Sequence, residues 1–427
     1  GCEMTKRRDF VRDATLLGVA AAFPGAEWLD QAGARGRGGA GAPAATSLAQ
    51  DYWTALREQF YIAPRGIYFN TGTIGASPRP VVEAVVRHMT AFETVFDAQG
   101  VDLSALRTAV GSLLGAPPNS FAFTRNTTEA MSWVANGLEL EPESEVLMTD
   151  HEHVGGRCPW EMNARRGSWT ITRVQLPVPA RSADEVMERW SRAITHRTRV
   201  AMISHVTFTN GLIQPVKELC AMFRRQGIIT VIDGAHPPGM LRMDLTDLGC
   251  DFYCTSPHKW LLAPKGSGLL YISEPWLDRL WPTIASGGWD DLAAKGERFD
   301  RVGTRNDSLL AGFKAAVEFH ESIGRERIER RVRELGDRLY DELVRIDGVE
   351  LKSPSDARIR APLVSFTVRG WTTQDLIQEL WRRGPVRVRH VAEYDYHWVR
   401  LSTHVYNSEQ EVDRVAGLVQ ELARERR

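Results

Sequence analysis

The stretch from Asp251 to Gly268, reading DFYCTSPHKWLLAPKGSG, decides how the rest of the chain is read. Phe252, Tyr253 and Cys254 form a short apolar-aromatic run, the pattern of a buried strand end. Thr255, Ser256 and Pro257 turn the chain, His258 and Lys259 follow, and an apolar run closes at a Gly-rich turn, Gly266 to Gly268. A lysine between a strand end and an apolar wall is placed for burial. Burial lowers a lysine's pKa, and a neutral amine can form a Schiff base with an aldehyde. Ser256 and His258 are polar donors beside it, suited to holding a phosphate. A lone lysine of this kind is more often a solvated loop residue, so the chemical reading depends on partners elsewhere.

Those partners exist. The apolar strand Ile228–Ile232 runs into Asp233, Gly234, Ala235 and His236, 26 residues ahead of Lys259. A carboxylate at the tip of a buried strand needs a partner. Phe121 to Ala130 reads as strand, polar turn and helix start. Asn126 or Thr127 is placed to cap that helix, and a helix N-terminus offers free N–H groups to an anion. The strand Val146–Thr149 ends in Asp150, His151, Glu152 and His153. Two histidines two residues apart are too little for a metal site, and none is expected. Near the C-terminus, the strand Trp398–Thr403 places Arg400 beside a turn, and Arg389 lies on the strand expected before it. A guanidinium forks a carboxylate with two parallel bonds.

The run from Ser256 to Gly266, SPHKWLLAPKG, resembles the cofactor-lysine segment of class V aminotransferase-fold enzymes that use pyridoxal 5′-phosphate (PLP). The likeness is nearest to the isopenicillin N epimerase-like branch, with cysteine desulfurases more distant. It implies that Lys259 carries the cofactor and moves the Cα proton, and that Asp233 holds the pyridine nitrogen protonated so that the ring draws electrons. It further implies phosphate contacts from Thr127, Thr128, Ser256 and His258, and a contact from His236 to the phenolic oxygen. His151 takes the position that stacks on the ring, with His153 as the alternative. Arg400, or Arg389, binds the substrate α-carboxylate. Thr304, in the Gly-rich segment 281–307, matches a residue that reaches the neighbouring subunit's phosphate. That implies a homodimer with shared active sites. Tyr68–Pro80 matches a segment lining the substrate entrance.

The resemblance leaves the reaction open. Desulfurases need a mobile cysteine just after the strand bearing Arg389, and His390 to Tyr394 contains none. Epimerisation, transamination, β-elimination and O2-dependent oxidative decarboxylation to a carboxamide all begin at Cα of an amino acid or amino-acid-bearing metabolite. The export signal read in residues 1–47 and the aromatic residues Trp281, Trp289, Tyr394, Tyr396 and Trp398, read as pocket residues, tilt the expectation towards tailoring of a larger secondary metabolite, with oxidative decarboxylation as the reaction.

The chain's 427 residues are 43% hydrophobic and 25% charged, ample for a large core. Strands and helices alternate: Thr170–Leu176, a helix near Ser182–Thr195, Val200–Val206, a helix near Val216–Gln226, and Ile228–Ile232. Such alternation predicts an α/β fold with a mainly parallel sheet flanked by helices and ligands at the strand C-terminal ends. With the resemblance, it becomes a fold-type I PLP-dependent transferase with a smaller α+β C-terminal domain. The expected boundaries are 48–80 for an N-terminal segment, 81–307 for the large cofactor domain and 308–427 for a long helix, near Ser308–Ile346, and the small domain. Lys and Arg total 53 against 54 Asp and Glu, so no global field favours nucleic acid. Five cysteines show no C-x-x-C spacing and are expected as buried free thiols.

Residues 1–47 read as an export signal and linker. Arg7 and Arg8, Phe10 and the weakly apolar Ala14–Phe23 resemble a twin-arginine leader, and 33–45 is Ala/Gly-rich. The apolar run is too short for stable membrane insertion. Periplasmic or extracellular placement is expected, with a cytoplasmic protein bearing a basic N-terminal helix as the alternative.

Overall fold

A computed structural model describes residues 52–94 and 101–426; the expected leader and linker lie outside these residues. The strands, in chain order, are β1 Ile67–Tyr68, β2 Phe121–Thr124, β3 Glu145–Thr149, β4 Thr170–Val174, β5 Thr198–Ser204, β6 Ile229–Asp233, β7 Phe252–Thr255, β8 Gly268–Ile272, β9 Val349–Leu351, β10 Leu363–Val368, β11 Val386–Arg387, β12 Arg389–Val391 and β13 Trp398–Ser402. Seven of them make one sheet in the order β2-β8-β7-β6-β5-β3-β4. β4, β3, β5, β6 and β7 run parallel, and β8 is antiparallel to both neighbours. This is the expected mainly parallel α/β sheet.

Alternate side chains of each strand feed two cores. Ile203, Ile232 and Tyr253 pack on one face with Trp190, Phe223 and Phe313. Met202, Val231 and Phe252 pack on the other with Met131, Val134 and Trp160. Burial on both faces explains why these strands are continuous apolar runs. Local signals fix the helix starts: Asn126 accepts from Glu129 N, Ser182 accepts from Glu185 N, and Ser408 and Glu411 form the capping box the sequence predicts.

A third core lies under the antiparallel sheet β12-β13-β10-β9, where Val364, Phe366, Val399 and Leu401 meet Leu335, Leu339, Val412 and Val415. Ile67 and Phe69 join this core, and β1 pairs in parallel with β11. The N-terminal segment therefore packs with the C-terminal part of the chain.

Three local expectations are corrected. The long helix over 308–346 is two helices, Ser308–Ile323 and Arg325–Val344, parted at Gly324 with φ +96°, which helical backbone cannot hold. The strand over 386–390 is split into β11 and β12, which join different sheets. The described cysteines are free, but Cys158 is exposed rather than buried. It sits on a helix whose inner face is carried by Gly156, Pro159 and Trp160.

Candidate active site

The register of the large sheet sets Ser204, Asp233 and Cys254 side by side at the C-terminal ends of β5, β6 and β7. There Ser204 and Asp233 border a cavity of about 310 Å³ that also holds Lys259, His236, His153, Arg389 and Arg400. Ligands of open α/β sheets gather at this edge. Two glycines grip the main chain at Lys259. Gly75 N donates to His258 O at 2.9 Å, and a Cβ on Gly75 would lie 1.9 Å from Lys259 O. Gly239, at φ +87°, closes on Trp260 from elsewhere: a Cβ there would lie 2.4 Å from its carbonyl carbon. Neither position has room for a side chain.

Burial pulls the Lys259 ammonium down to about 8; Asp233 opposes that shift, and Arg400 and Arg389 add to it. Burial likewise pushes the Asp233 carboxyl up, opposed by Lys259 and by the Ala235 N–H, which donates at 3.0 Å. The two groups therefore share one buried charge balance.

The helices Thr127–Gly137 and Val154–Gly167 both begin at the cavity, where Thr127, Thr128, Gly155 and Gly156 line it. Two helix N-termini aimed at one space favour an anion there. Ser256 Oγ accepts from Thr127 N at 3.0 Å and lies 2.8 Å from Thr127 Oγ1. His258 lies beside them, and its Nδ1 donates to Ser267 O at 2.7 Å. Burial holds its pKa near 4, so its other nitrogen becomes a donor only when an anion pulls a proton onto the ring. Opposite, Arg400 is 1% exposed. Its Nη1 donates to Phe208 O at 2.7 Å and its Nη2 to Thr73 Oγ1 at 2.9 Å, while Nε is buried without a partner. Arg389 pairs with Glu393 and faces Arg400 across the β12–β13 ladder.

Several expected site residues lie elsewhere. His151 is 1% exposed but does not line the cavity. Its Nδ1 lies 2.6 Å from Thr209 Oγ1 and its ring stacks on Tyr396 at 5.1 Å. Of the two, it is His153 that lines the cavity; its Nδ1 caps the next helix by accepting from Gly155 N, and its ring meets Phe208 edge-on at 4.9 Å. The chain turns between the two, so a shift of two residues reverses inside and outside. Thr304 is exposed and borders a different cleft, with His88, Met89 and Phe92. Trp281 and Trp289 stack on each other at a groove that includes Ile229, the opposite end of β6 from Asp233. Tyr394, Tyr396 and Trp398 also lie off the cavity; Tyr394 Oη donates to Glu152 O at 2.7 Å. A larger groove of about 760 Å³ contains none of Lys259, Asp233 or Arg400.

Sequence reading missed Phe208, Ser204 and Glu152. The first two follow from where β5 ends, since that strand delivers its next residues to the cavity. Glu152 had no signal beyond standing between two histidines. It is wholly buried; Ser204 Oγ donates to it, as does Thr149 Oγ1 at 2.7 Å, and burial pushes its pKa up to about 7.

Residues 84–415 match the family model described as aminotransferase class-V. The chain belongs to the aminotransferase class-V family. It is 34% identical to an isopenicillin N epimerase of Amycolatopsis lactamdurans over 393 residues, covering 87% of this chain and 99% of that one. It is 31% identical to the isopenicillin N epimerase of Streptomyces clavuligerus and 29% identical to a probable cysteine desulfurase of Xylella fastidiosa, over 87% and 85% of this chain and 99% and 93% of theirs. The cysteine desulfurase structure from Thermococcus onnurineus superposes with a TM-score of 0.77 at 27% identity, covering 86% of this chain and 97% of that one. The lyase C-DES, solved with glycine covalently linked to its PLP cofactor, superposes with a TM-score of 0.77 at 25% identity, over 86% of this chain and 99% of that one. The fold is that of the fold-type I PLP transferases, and the protein is a PLP-dependent enzyme.

The residues of this class V chain fit the cofactor. His236 Nε2 is buried with no partner, at the cavity wall. Gly156 leaves open a space where a Cβ would come within 2.8 Å of Asp233 Oδ2. The two helix N-termini suit a phosphate, Asp233 suits a charged ring nitrogen, and Lys259 supplies the amine. Among the described residues, no group of three or more His, Cys, Asp or Glu could hold a metal, and no helix is long and apolar enough to cross a membrane.

Proposed function

We propose that this chain removes the Cα proton of an amino acid or amino-acid-bearing metabolite and lets a proton return on the opposite face, and so acts as an epimerase. The observation that carries the reading is Lys259. It is a buried amine with a pKa lowered to about 8, sharing one cavity with Asp233 and the deeply buried Arg400. An amine with a pKa near neutrality is suited to general base catalysis. The two epimerase relatives favour the same outcome.

Bound in this cavity, pyridoxal phosphate supplies an electron-withdrawing ring conjugated to Cα. The chain's residues do the rest. Asp233 keeps a proton on the ring nitrogen. Thr127, Thr128, Ser256 and His258 would hold the phosphate end, and His153 would flank the ring. Arg400 would fork the α-carboxylate and so orient the bonds at Cα. Lys259 Nζ then takes that proton.

Persulfide transfer has little support. The stretch His390–Tyr394 holds Glu393, paired with Arg389, and no cysteine. O2-dependent oxidation to a carboxamide, with release of CO2 and water, begins with the same proton. The aromatic residues that pointed to it lie off the cavity, so it takes second place. Incubation of the enzyme with amino acids in D2O, under air and under nitrogen, separates the two. Deuterium entry at Cα with loss of optical purity under both atmospheres supports the epimerase; O2 uptake with CO2 release contradicts it.

Two further proposals concern placement. A second copy of the chain is expected to cover the helix Arg79–Thr94, whose Val86, Met89 and Phe92 are exposed, and the cleft beside Thr304. The paired arginines at residues 7 and 8 are proposed to direct export, which is tested by fusing residues 1–47 to a reporter and locating it.

A further inference from the structure

Trp260 follows the lysine directly, and the established chemistry gives it no part. Its side chain is fully buried, and its indole Nε1 donates to His236 Nδ1 at 3.0 Å. An indole N–H is only a donor. His236 Nδ1 is therefore an acceptor, and in the neutral ring the proton sits on Nε2. That is the atom buried without a partner at the cavity wall.

The indole is itself fixed. Trp260 O accepts from His404 Nε2 at 2.9 Å, because His404 Nδ1 already accepts from Val405 N at 2.8 Å. His320 Nε2 lies 3.1 Å from the same oxygen, and Gly239 closes on the Trp260 main chain. The charges facing His236 from neighbouring elements are Lys259, Arg400, Arg389 and, when protonated, His153. All of them, with burial, oppose a positive imidazole, and the ring stays neutral.

We propose that Trp260 is a positioning residue that locks His236 as its Nε2–H tautomer, so that a neutral donor already faces the cofactor's ring oxygen before the cofactor binds. The lock acts on cofactor binding and goes beyond the reaction proposed above; it holds whichever reaction follows. A donor at the ring oxygen withdraws charge from the conjugated system. The nitrogen linking lysine to cofactor then gives up its proton at lower pH.

The test is a double-mutant cycle of W260F and H236A, read by PLP affinity of the apoprotein and by the pH midpoint of the holoenzyme's visible absorbance. W260F is expected to weaken PLP binding about tenfold, the scale of one well-oriented hydrogen bond. It is also expected to raise the midpoint by about one pH unit. In the H236A background the same change should cost under about twofold and leave the midpoint in place. Equal effects of W260F in both backgrounds would assign Trp260 to packing and overturn the proposal. If W260F does not fold, 15N-histidine spectra of the wild-type apoprotein decide: a protonated Nε2 on His236 upholds the lock, and a protonated Nδ1 or a charged ring overturns it. A failed epimerase assay touches none of these readouts.

Discussion

At the scale of single residues, the cavity is a set of ionisable groups whose charged forms are held away from their ordinary ranges. Lys259 is the clearest case. With a pKa near 8 its amine is the nucleophilic, neutral form at a lower pH than an exposed lysine. PLP uptake by the apoprotein is expected to accelerate with pH to a midpoint near 8, followed by visible absorbance; a rise only near 10.5 would mean an exposed amine. Glu152 makes a stability prediction. Its folded pKa, about 7, lies above the ordinary 4.5, so the fold favours the protonated form. Stability is therefore lost as pH rises from 4.5 to 7, by about 3 kcal/mol for this group. Glu152→Gln removes the titration, so its stability relative to wild type should climb across that window in denaturant melts. A flat difference would place the ionised carboxylate comfortably in its bonds to Thr149 and Ser204. Arg400→Lys keeps the charge but loses the fork, and a loss in kcat/KM of about 10²–10³-fold is expected. Lys259, Asp233 and Arg400 were legible in the sequence because a strand end or a family motif marks each. The choice between His151 and His153 was not, because it depends on which way a tight turn throws its side chains.

At the scale of elements, strand ends and helix starts do the positioning, and a buried ion pair braces them. Arg107, on the helix Leu103–Leu114, bonds Asp300 and the carbonyl of Phe121, while Asp300 Oδ1 also accepts from Phe123 N on β2. The pair thus ties β2, which leads into the Thr127–Thr128 turn, to the segment before Thr304. Asp300→Ala leaves a buried guanidinium without its counter-charge and should cost about 3–5 kcal/mol in denaturant unfolding; a loss under about 1 kcal/mol would mean that water or Arg107 relaxes into the gap. The parallel strands were legible because burial on both faces leaves continuous apolar runs between turn residues. The break at Gly324 and the split between β11 and β12 were not. Helical periodicity continues across Gly324, and nothing between Val386 and Val391 marks where a strand changes sheet.

At the scale of the molecule, two sheets meet where the candidate cavity lies. The large sheet brings Lys259, Asp233 and the helix N-termini, and the smaller antiparallel sheet brings Arg389 and Arg400. Contributions from both explain why the site residues are spread from Thr127 to Arg400. Sedimentation at micromolar concentration is expected to give a dimer, and Phe92→Glu a monomer; a wild-type monomer would leave Thr304 without the neighbouring phosphate it was read to contact. The claim beneath all of these is that Lys259 carries the cofactor. Borohydride reduction of the holoenzyme, followed by peptide mapping, tests it most directly. The pyridoxyl label is predicted on the peptide containing Lys259, with no label in Lys259→Ala; a label on any other lysine would contradict the account.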